Sequence, residues 1–254
     1  MSASSEERIV CISGGTAGIG AALVAAFLAA GDRVYTFGRR RERVDALVSA
    51  HLEPAGAGRL VALVGDATDA GFRAGLAARL ESECGRLDVL VNNAGVIRGF
   101  GYLEETVEEW RETLETNLIA PFALTQVCAP WLRLSAAPAV INIGSACGLH
   151  AFASCGSTSY SASKAGLHLL TRRLAYGLAP AGIRVNAVAP GVVPSEMWEA
   201  HAEPMQETIR QRHVLGQRPV SPESVARAVL FLASAEAGSV TGTILNVDAG
   251  YALG

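Results

Sequence analysis

The chain has 254 residues, half of them apolar and 18% charged, with a formal net charge of −3 and a pI near 6.0. That length holds one large α/β domain or two small ones, with enough apolar content for a sizeable core. The lack of a basic excess argues against a nucleic-acid partner, no apolar run is long and charge-free enough to span a bilayer, and the opening MSASSEER lacks the basic and apolar regions of a secretion signal.

Strands and helices are expected to alternate along the chain. IVCIS (9–13) reads as a first strand, then comes the glycine-rich GGTAGIG and the helical AALVAAFLAAG. VYTFG (34–38) reads as a second strand and RERVDALVSAHL as a second helix. LVALVGD (60–66) is a third strand, followed by a helix to about Cys84, and LDVLVNNAG (87–95) is a fourth strand. Two helices, about 104–115 and 117–134, precede a fifth strand, AVINIGS (139–145). A long helix over 158–178 leads to IRVNAVAP (183–190), and residues 195–213 read as a mobile helical lid. SPESVARAVLFLAS carries Ser221 as N-cap and Pro222 at the first helical position, and TILNV (243–247) is the last strand. Apolar strands joined by helices of this length imply right-handed crossovers and a parallel sheet covered on both faces. No linker or composition break divides the chain, so a single α/β domain of the Rossmann-type, doubly wound kind with seven strands is expected, spanning 1–254.

Cys11, Cys84, Cys128, Cys147 and Cys155 are scattered and odd in number. That pattern predicts reduced thiols in a cytoplasmic protein rather than a disulfide framework. No paired CxxC and no His/Cys cluster suggests a metal site.

SGGTAGIG (13–20) joins the first strand to the first helix. Glycines there let backbone N–H groups approach a pyrophosphate, and the helix N-terminus adds partial positive charge. The placement makes a dinucleotide site the better reading over an ordinary tight turn. At the end of the second strand, an acidic residue would bind the ribose 2′-hydroxyl of NAD, but here Gly38 is followed by Arg39 and Arg40. A guanidinium pairs with a 2′-phosphate, whereas a carboxylate repels it. Cations at a helix N-terminus also oppose its macrodipole and call for a counter-charge. NADP(H) is therefore favoured, with NAD(H) left open, and Arg39 is the stronger candidate because it directly follows the strand.

These motifs, with GDAT at Asp66, NNAG (92–95), Asn117 in TNLIAPF, NIGS ending at Ser145, YSASK (160–164), PGVVPS (190–195) and VTGTILNVDAG (240–250), resemble the short-chain dehydrogenase/reductase family over almost the whole chain. Much of the pattern is similar to its 3-oxoacyl carrier-protein reductases. The resemblance implies a cofactor site formed by Ser13, Gly14, Thr16, Gly18, Ile19, Gly20, Arg39 and Arg40. Asp66 and Ala67 would hold adenine, and Asn93, Ala94 and Gly95 would border the cofactor. Pro190, Gly191, Val193 and Ser195 would sit at the nicotinamide carboxamide. It also implies that Lys164 grips the nicotinamide ribose, that Asn117 holds a proton-relaying water, and that Ser145 polarises the substrate oxygen. VDAG stands where the family more often has VDGG.

Reduction of a carbonyl needs an acid for the developing alkoxide, and a tyrosine, with a free pKa of about 10, can supply the proton. Tyr160 and Lys164 are four residues apart, on one face of a helix, and an ammonium there should lower the tyrosine pKa. In the family the serine precedes the tyrosine by roughly thirteen residues, a spacing that lands here on Cys147. A thiol is a weak donor. Ser145 closes the apolar strand and keeps SxxG with Gly148, so Ser145 is expected to be the catalytic serine, with two residues gained in a loop of about 149–157.

That loop and the lid predict a substrate pocket of Ser145, Cys147, His150, Cys155, Tyr160, Met197 and Trp198, with Cys155 as a small filler. His150, His201 and His213 are read as exposed loop histidines. The chain is expected to be a homotetramer or homodimer acting on a small carbonyl or alcohol. A 3-oxoacyl carrier-protein reductase is the alternative, weakened by the neutral turn APAGI (179–183). A cofactor-sensing regulator without turnover is a third reading, disfavoured because Asn117, Ser145, Tyr160 and Lys164 are all present.

Overall fold

A computed structural model describes residues 7–152, 154–195 and 202–253, with only the backbone for 202–204. In chain order the elements are β1 (Ile9–Ser13), α1 (Gly18–Ala29), β2 (Arg33–Gly38), α2 (Arg41–Ala50), α3 (Leu52–Gly56), β3 (Leu60–Val64), α4 (Ala70–Glu83), β4 (Val89–Asn92), α5 (Val107–Leu114), α6 (Ala120–Leu132), β5 (Ala139–Ile143), α7 (Thr158–Leu178), β6 (Arg184–Pro190), α8 (Ala202–Arg212), α9 (Pro222–Ala233) and β7 (Ile244–Val247). The strands form one seven-stranded sheet in the order β3-β2-β1-β4-β5-β6-β7, and every neighbouring pair is parallel. This is the expected Rossmann-type sheet.

β1, β4 and β5 are buried along their whole length, which is why they read as unbroken apolar runs. Leu23, Val24 and Phe27 of α1 pack with Val225 and Val229 of α9 on one face. Leu76 and Leu80 of α4 pack with Leu124, Cys128 and Leu132 of α6 on the other. Each such fully buried side chain contributes about 1.5–3 kcal/mol. Among the described residues, no helix is long and apolar enough to cross a membrane.

Polar groups inside the sheet set its register. Asn92 and Asn142 are partners across β4 and β5. The Asn92 amide donates to Asn142 Oδ1 at 2.8 Å, and the Asn142 amide donates to Thr171 Oγ1 at 2.9 Å. All three residues are buried. A one-residue slip would leave these groups unpaired at about 1–3 kcal/mol each. The chain of bonds fixes α7 against β5, and α7 carries Tyr160 and Lys164.

Several boundaries differ from expectation. β4 ends at Asn92, because residues 93–95 turn away to line a cleft. The helices expected over 104–115 and 117–134 are joined by one π turn, Glu115–Ile119, rather than separated. Its wider turn carries Asn117, which is wholly buried, a known use of such turns. Helix α3 was not anticipated. α7 matches its expected limits, with Ser157 as N-cap accepting from the Tyr160 N–H, and α9 has Ser221 as N-cap. Of the expected lid, 202–212 is helical, while Met197, Trp198 and His201 lie outside the described residues. Ala249, where the family more often has glycine, sits at φ +51°, a left-handed conformation that glycine adopts without strain.

Candidate functional site

A cleft of about 400 Å³ runs past the carboxyl ends of the strands, where the strand order reverses between β1 and β4. Such a crevice is where open parallel sheets bind ligands. One arm is built from the glycine turn. Gly14 has φ +69°, and a Cβ there would lie 2.9 Å from Ala94 Cα. A Cβ on Gly20 would lie 2.0 Å from the Gly14 carbonyl oxygen. Backbone therefore packs on backbone, and no larger residue fits. Helix α1 starts here with Ala17 as N-cap, no side-chain cap bond and no acidic residue in its first turn. Its first N–H groups are left for an anion.

Gly14, Thr16, Gly18, Ile19 and Gly20 all line the cleft. Ser13 does not. It is 2% exposed, and its hydroxyl accepts from the N–H groups of Asn93 and Ala94, both at 3.0 Å. Ser13 thus holds the end of β4 rather than facing a ligand. The Asn93 amide ties back to the carbonyls of Ser13 and Gly14 at 3.0 and 2.9 Å.

Arg39 and Arg40 line the rim where β2 ends, with Asp66 and Ala67 from the end of β3. Arg39 Nη1 lies 4.0 Å from Asp66 Oδ2, and both side chains are partly exposed, so the pair contributes little stability. Arg43 joins them from the first turn of α2 and was missed in the sequence, where only Arg39–Arg41 stood out. Three guanidiniums at this rim suit a phosphate, and the glycine turn with its uncapped helix suits a pyrophosphate. The residues present fit a phosphorylated dinucleotide.

The other arm holds Ser145, Tyr160 and Lys164. Ser145 follows β5, accepts from the Cys147 N–H at 3.2 Å and lines the cleft together with Tyr160. Lys164, one turn along α7 from Tyr160, donates from Nζ to the Ile143 carbonyl at 2.8 Å and lies 5.6 Å from the centre of the Tyr160 ring. Burial pulls Lys164 down to about 8. Burial also pushes Tyr160 above its ordinary value, only partly offset by the Ser145 hydrogen bond. The expected lowering of Tyr160 by Lys164 is not seen, and desolvation of the phenol sets the direction.

Asn117 does not line the cleft. Its Oδ1 accepts from the Val96 N–H at 2.8 Å, and its amide donates to the Val96 carbonyl and Ser163 Oγ at 2.9 and 3.1 Å. It fixes the backbone beside Lys164: a Cβ on Gly95 would lie 3.4 Å from Asn117 Oδ1 and 3.5 Å from Lys164 Nζ.

His168, one further turn along α7, was not anticipated. Its Nε2 accepts from the Ser145 N–H at 3.5 Å, and a Cβ on Gly144 would lie 2.2 Å from it. Burial, helped by the Lys164 charge, lowers its pKa from 6.5 to about 4. The unfolded chain therefore takes up a proton first as pH falls. Stability is expected to be full above pH 6.5 and to decline between pH 6.5 and 4, by on the order of 3 kcal/mol. Urea unfolding at both ends of that window should show a smaller loss for His168→Gln. Equal losses in the two proteins would refute the assignment.

On the substrate side, Cys147 lines the cleft, and Ser154, Met205, Thr208 and Tyr251 join it without having been predicted. Cys147 and Cys155 form a disulfide, which corrects the expectation of reduced thiols throughout and of Cys155 as a filler. Eight residues apart, they are brought to a Cα separation of 5.7 Å by the loop folding back, within reach of a bridge. Counting cysteines cannot reveal such a turn. Cys11, Cys84 and Cys128 are free. Cys155 reaches Tyr251 rather than the cleft, and His150 is exposed and packs edge-on against Phe152 instead of lining the pocket.

Pro190, Gly191, Val193 and Ser195 line the cleft. His213 is wholly buried beneath them, contrary to its reading as an exposed loop residue. Its Nε2 accepts from the Val192 N–H at 3.1 Å, and Nδ1 pairs with the Arg218 carbonyl at 2.7 Å. Both ring nitrogens are used to hold the turn that follows β6.

A family model described as enoyl-(acyl carrier protein) reductase matches residues 14–252. The chain is 35% identical to the 3-oxoacyl-(acyl-carrier-protein) reductase FabG of Thermotoga maritima, covering 98% of this chain and 99% of that one. It is 37% identical to cis-4-hydroxycyclohexanecarboxylate dehydrogenase of Sinomonas cyclohexanicum, covering 96% of each. Among solved structures, an NADPH-bound short chain oxidoreductase from Pseudomonas aeruginosa PAO1 is similar at a TM-score of 0.88 and 31% identity, covering 96% of both chains.

Proposed function

The chain belongs to the short-chain dehydrogenase/reductase family and is an NAD(P)-dependent oxidoreductase, and from that premise we propose that it interconverts a small carbonyl compound and its alcohol using NADP(H). One observation carries the reading. Ser145, Tyr160 and the buried Lys164 line one arm of a single cleft whose far rim carries Arg39, Arg40 and Arg43.

The glycine turn and α1 would hold the pyrophosphate, the three arginines a 2′-phosphate, and the turn at 190–195 the nicotinamide end. When bound, the cofactor supplies or accepts a hydride. Ser145 donates a hydrogen bond to the substrate oxygen. Tyr160 protonates that oxygen as it gains charge on reduction and takes the proton back on oxidation. Its raised pKa keeps the proton in place at neutral pH, which favours the reductive direction. Lys164 keeps its ammonium at the Ile143 carbonyl, and Asn117 holds the neighbouring backbone in register.

The cis-4-hydroxycyclohexanecarboxylate dehydrogenase relative favours a small secondary alcohol or ketone. A second reading, reduction of a carrier-bound 3-oxoacyl group, is favoured by the FabG relative and by Arg172 and Arg173, which are exposed on α7 and could meet an acidic carrier. Exposed Val107, Phe122, Leu169 and Tyr176 on α5–α7 support the expected homotetramer or homodimer. A cytoplasmic location belongs to the same proposal, although the reduced thiols expected with it hold only for Cys11, Cys84 and Cys128.

Turnover of NADPH and NADH against a panel of ketones, aldehydes and a 3-oxoacyl pantetheine thioester tests the reading. Consumption of NADPH with a free ketone supports it, consumption with the thioester alone selects the second reading, and binding without turnover of any member defeats both. Arg39→Asp should move the ratio of kcat/KM for NADPH over NADH by about 1.5–3 kcal/mol, the worth of a charge-assisted hydrogen bond. An unchanged ratio would remove Arg39 from the cofactor site.

A further inference from the structure

We propose that the Cys147–Cys155 bridge is a specificity-determining strap on the substrate arm of the cleft, and that a dithiol which opens it relaxes the choice of substrate. The proposal rests on the carbonyl–alcohol reading of the same site and adds what selects the carbonyl compound.

The strap is anchored at both ends in the site. Cys147 lies two residues after Ser145, donates its N–H to the Ser145 hydroxyl at 3.2 Å and lines the cleft. Cys155 Sγ lies 3.3 Å from the Tyr251 hydroxyl, and the neighbouring Ser154 Oγ lies 2.5 Å from the same hydroxyl. Tyr251 comes from the C-terminal end of the chain, is buried, and lines the cleft with Tyr160. Phe152, inside the loop, packs edge-on against Tyr251 at 5.0 Å, and the Arg212 guanidinium of α8 stacks over Phe152 at 4.1 Å. The bridge therefore joins three separate pieces of chain: the turn after β5, the loop before α7, and the C-terminal segment. Beyond the bridge, the loop is next tied down at Gly156, whose carbonyl accepts from the Gly101 N–H.

Nothing on the cofactor arm depends on this connection. Opening the bridge unlinks Cys155 from Cys147 and leaves the loop held on Tyr251 only by Ser154 and Phe152, while the glycine turn, the arginine rim and the bond from Lys164 to Ile143 keep their own supports. Reduction should thus act on substrate choice and leave cofactor recognition alone. Both cysteines are half-buried, so a small dithiol can reach them. The exchange is balanced: one thiolate of the dithiol attacks a bridge sulfur, the second thiol resolves the mixed disulfide, the dithiol leaves as its cyclic disulfide, and Cys147 and Cys155 each end as a thiol.

The test uses the full-length protein, air-oxidised or treated with dithiothreitol and then freed of it. Alkylation in denaturant should label three cysteines before reduction and all five after. The ratio of kcat/KM for a bulky aryl ketone to that for a small aliphatic ketone should rise about tenfold on reduction, the size of a moderate change of fit in an apolar pocket. The KM for NADPH should stay constant. Cys155→Ala, and Cys155→Ser should Ala fail to fold, should start at the reduced ratio and not respond to the dithiol. Five labelled cysteines before reduction, an unmoved ratio in the wild type, or an equal response in the Cys155 variants would each overturn the proposal. A protein inert to every carbonyl would instead defeat the underlying reading, while the alkylation count still reports the bridge.

Discussion

Replacing Tyr160 with Phe is expected to lower kcat by about 10²–10⁴-fold, the usual contribution of a positioned general acid, with the affinity for NADPH retained. The ring stays, so the packing on α7 survives, and only the hydroxyl is lost. Steady-state kinetics with a turned-over ketone, beside fluorescence titration of NADPH, separates the two effects. In the structure Tyr160 lines the cleft beside Ser145, and burial holds its proton at neutral pH. Oxidation of the alcohol should accordingly speed up as pH rises toward the tyrosine pKa, while reduction should not. A Tyr160→Phe enzyme with wild-type turnover would mean that the proton comes from elsewhere.

The second large effect separates two neighbouring residues. Ser145→Ala should cost about 10²–10³-fold in kcat, as when one donor to a developing oxyanion is removed. Cys147→Ala should stay within about tenfold and act mainly on KM for bulky substrates. Spacing alone points at Cys147, but Cys147 is half-buried and its sulfur is committed to Cys155. Ser145 follows β5 and lines the cleft with Tyr160. The opposite ranking of the two variants would reject the two-residue gain in the loop.

The sheet was legible in the sequence because strands buried on both faces leave long apolar runs, and the start of α9 because Ser221 and Pro222 mark it. The glycine turn was legible for a similar reason: positions where a Cβ would strike backbone, such as Gly20, admit only one residue. Arg39 and Arg40 stood out as a run, but Arg43 needed the helical turn of α2 to bring it to the same rim. Roles that depend on where a small polar group points were harder. Ser13 follows the motif and yet turns its hydroxyl to Asn93 and Ala94. His213 reads as a surface histidine and is instead saturated beneath Val192.

The substrate side was least legible because its parts are distant in sequence. Tyr251 meets Ser154 and Cys155 across almost a hundred residues, and no local pattern signals that contact. The same holds for the bridge, which depends on a loop folding back rather than on cysteine number. His168 could have been suspected from its position four residues after Lys164 on the same helical face. What could not be foreseen is that burial, not the lysine, sets the direction of the Tyr160 pKa.

Hydride transfer with proton donation by Tyr160 is tested most directly by following an isotope. NADPH carrying deuterium at its transferable position is incubated with the best ketone of the panel, using the wild type and Tyr160→Phe, and the alcohol is analysed by mass spectrometry. The wild type should place deuterium on the carbinol carbon, and Tyr160→Phe should yield at most a hundredth of that product in the same time, consistent with about 10²-fold or more lost with the acid. Alcohol formed without deuterium on that carbon, or equal labelled product from both proteins, would contradict the assignment.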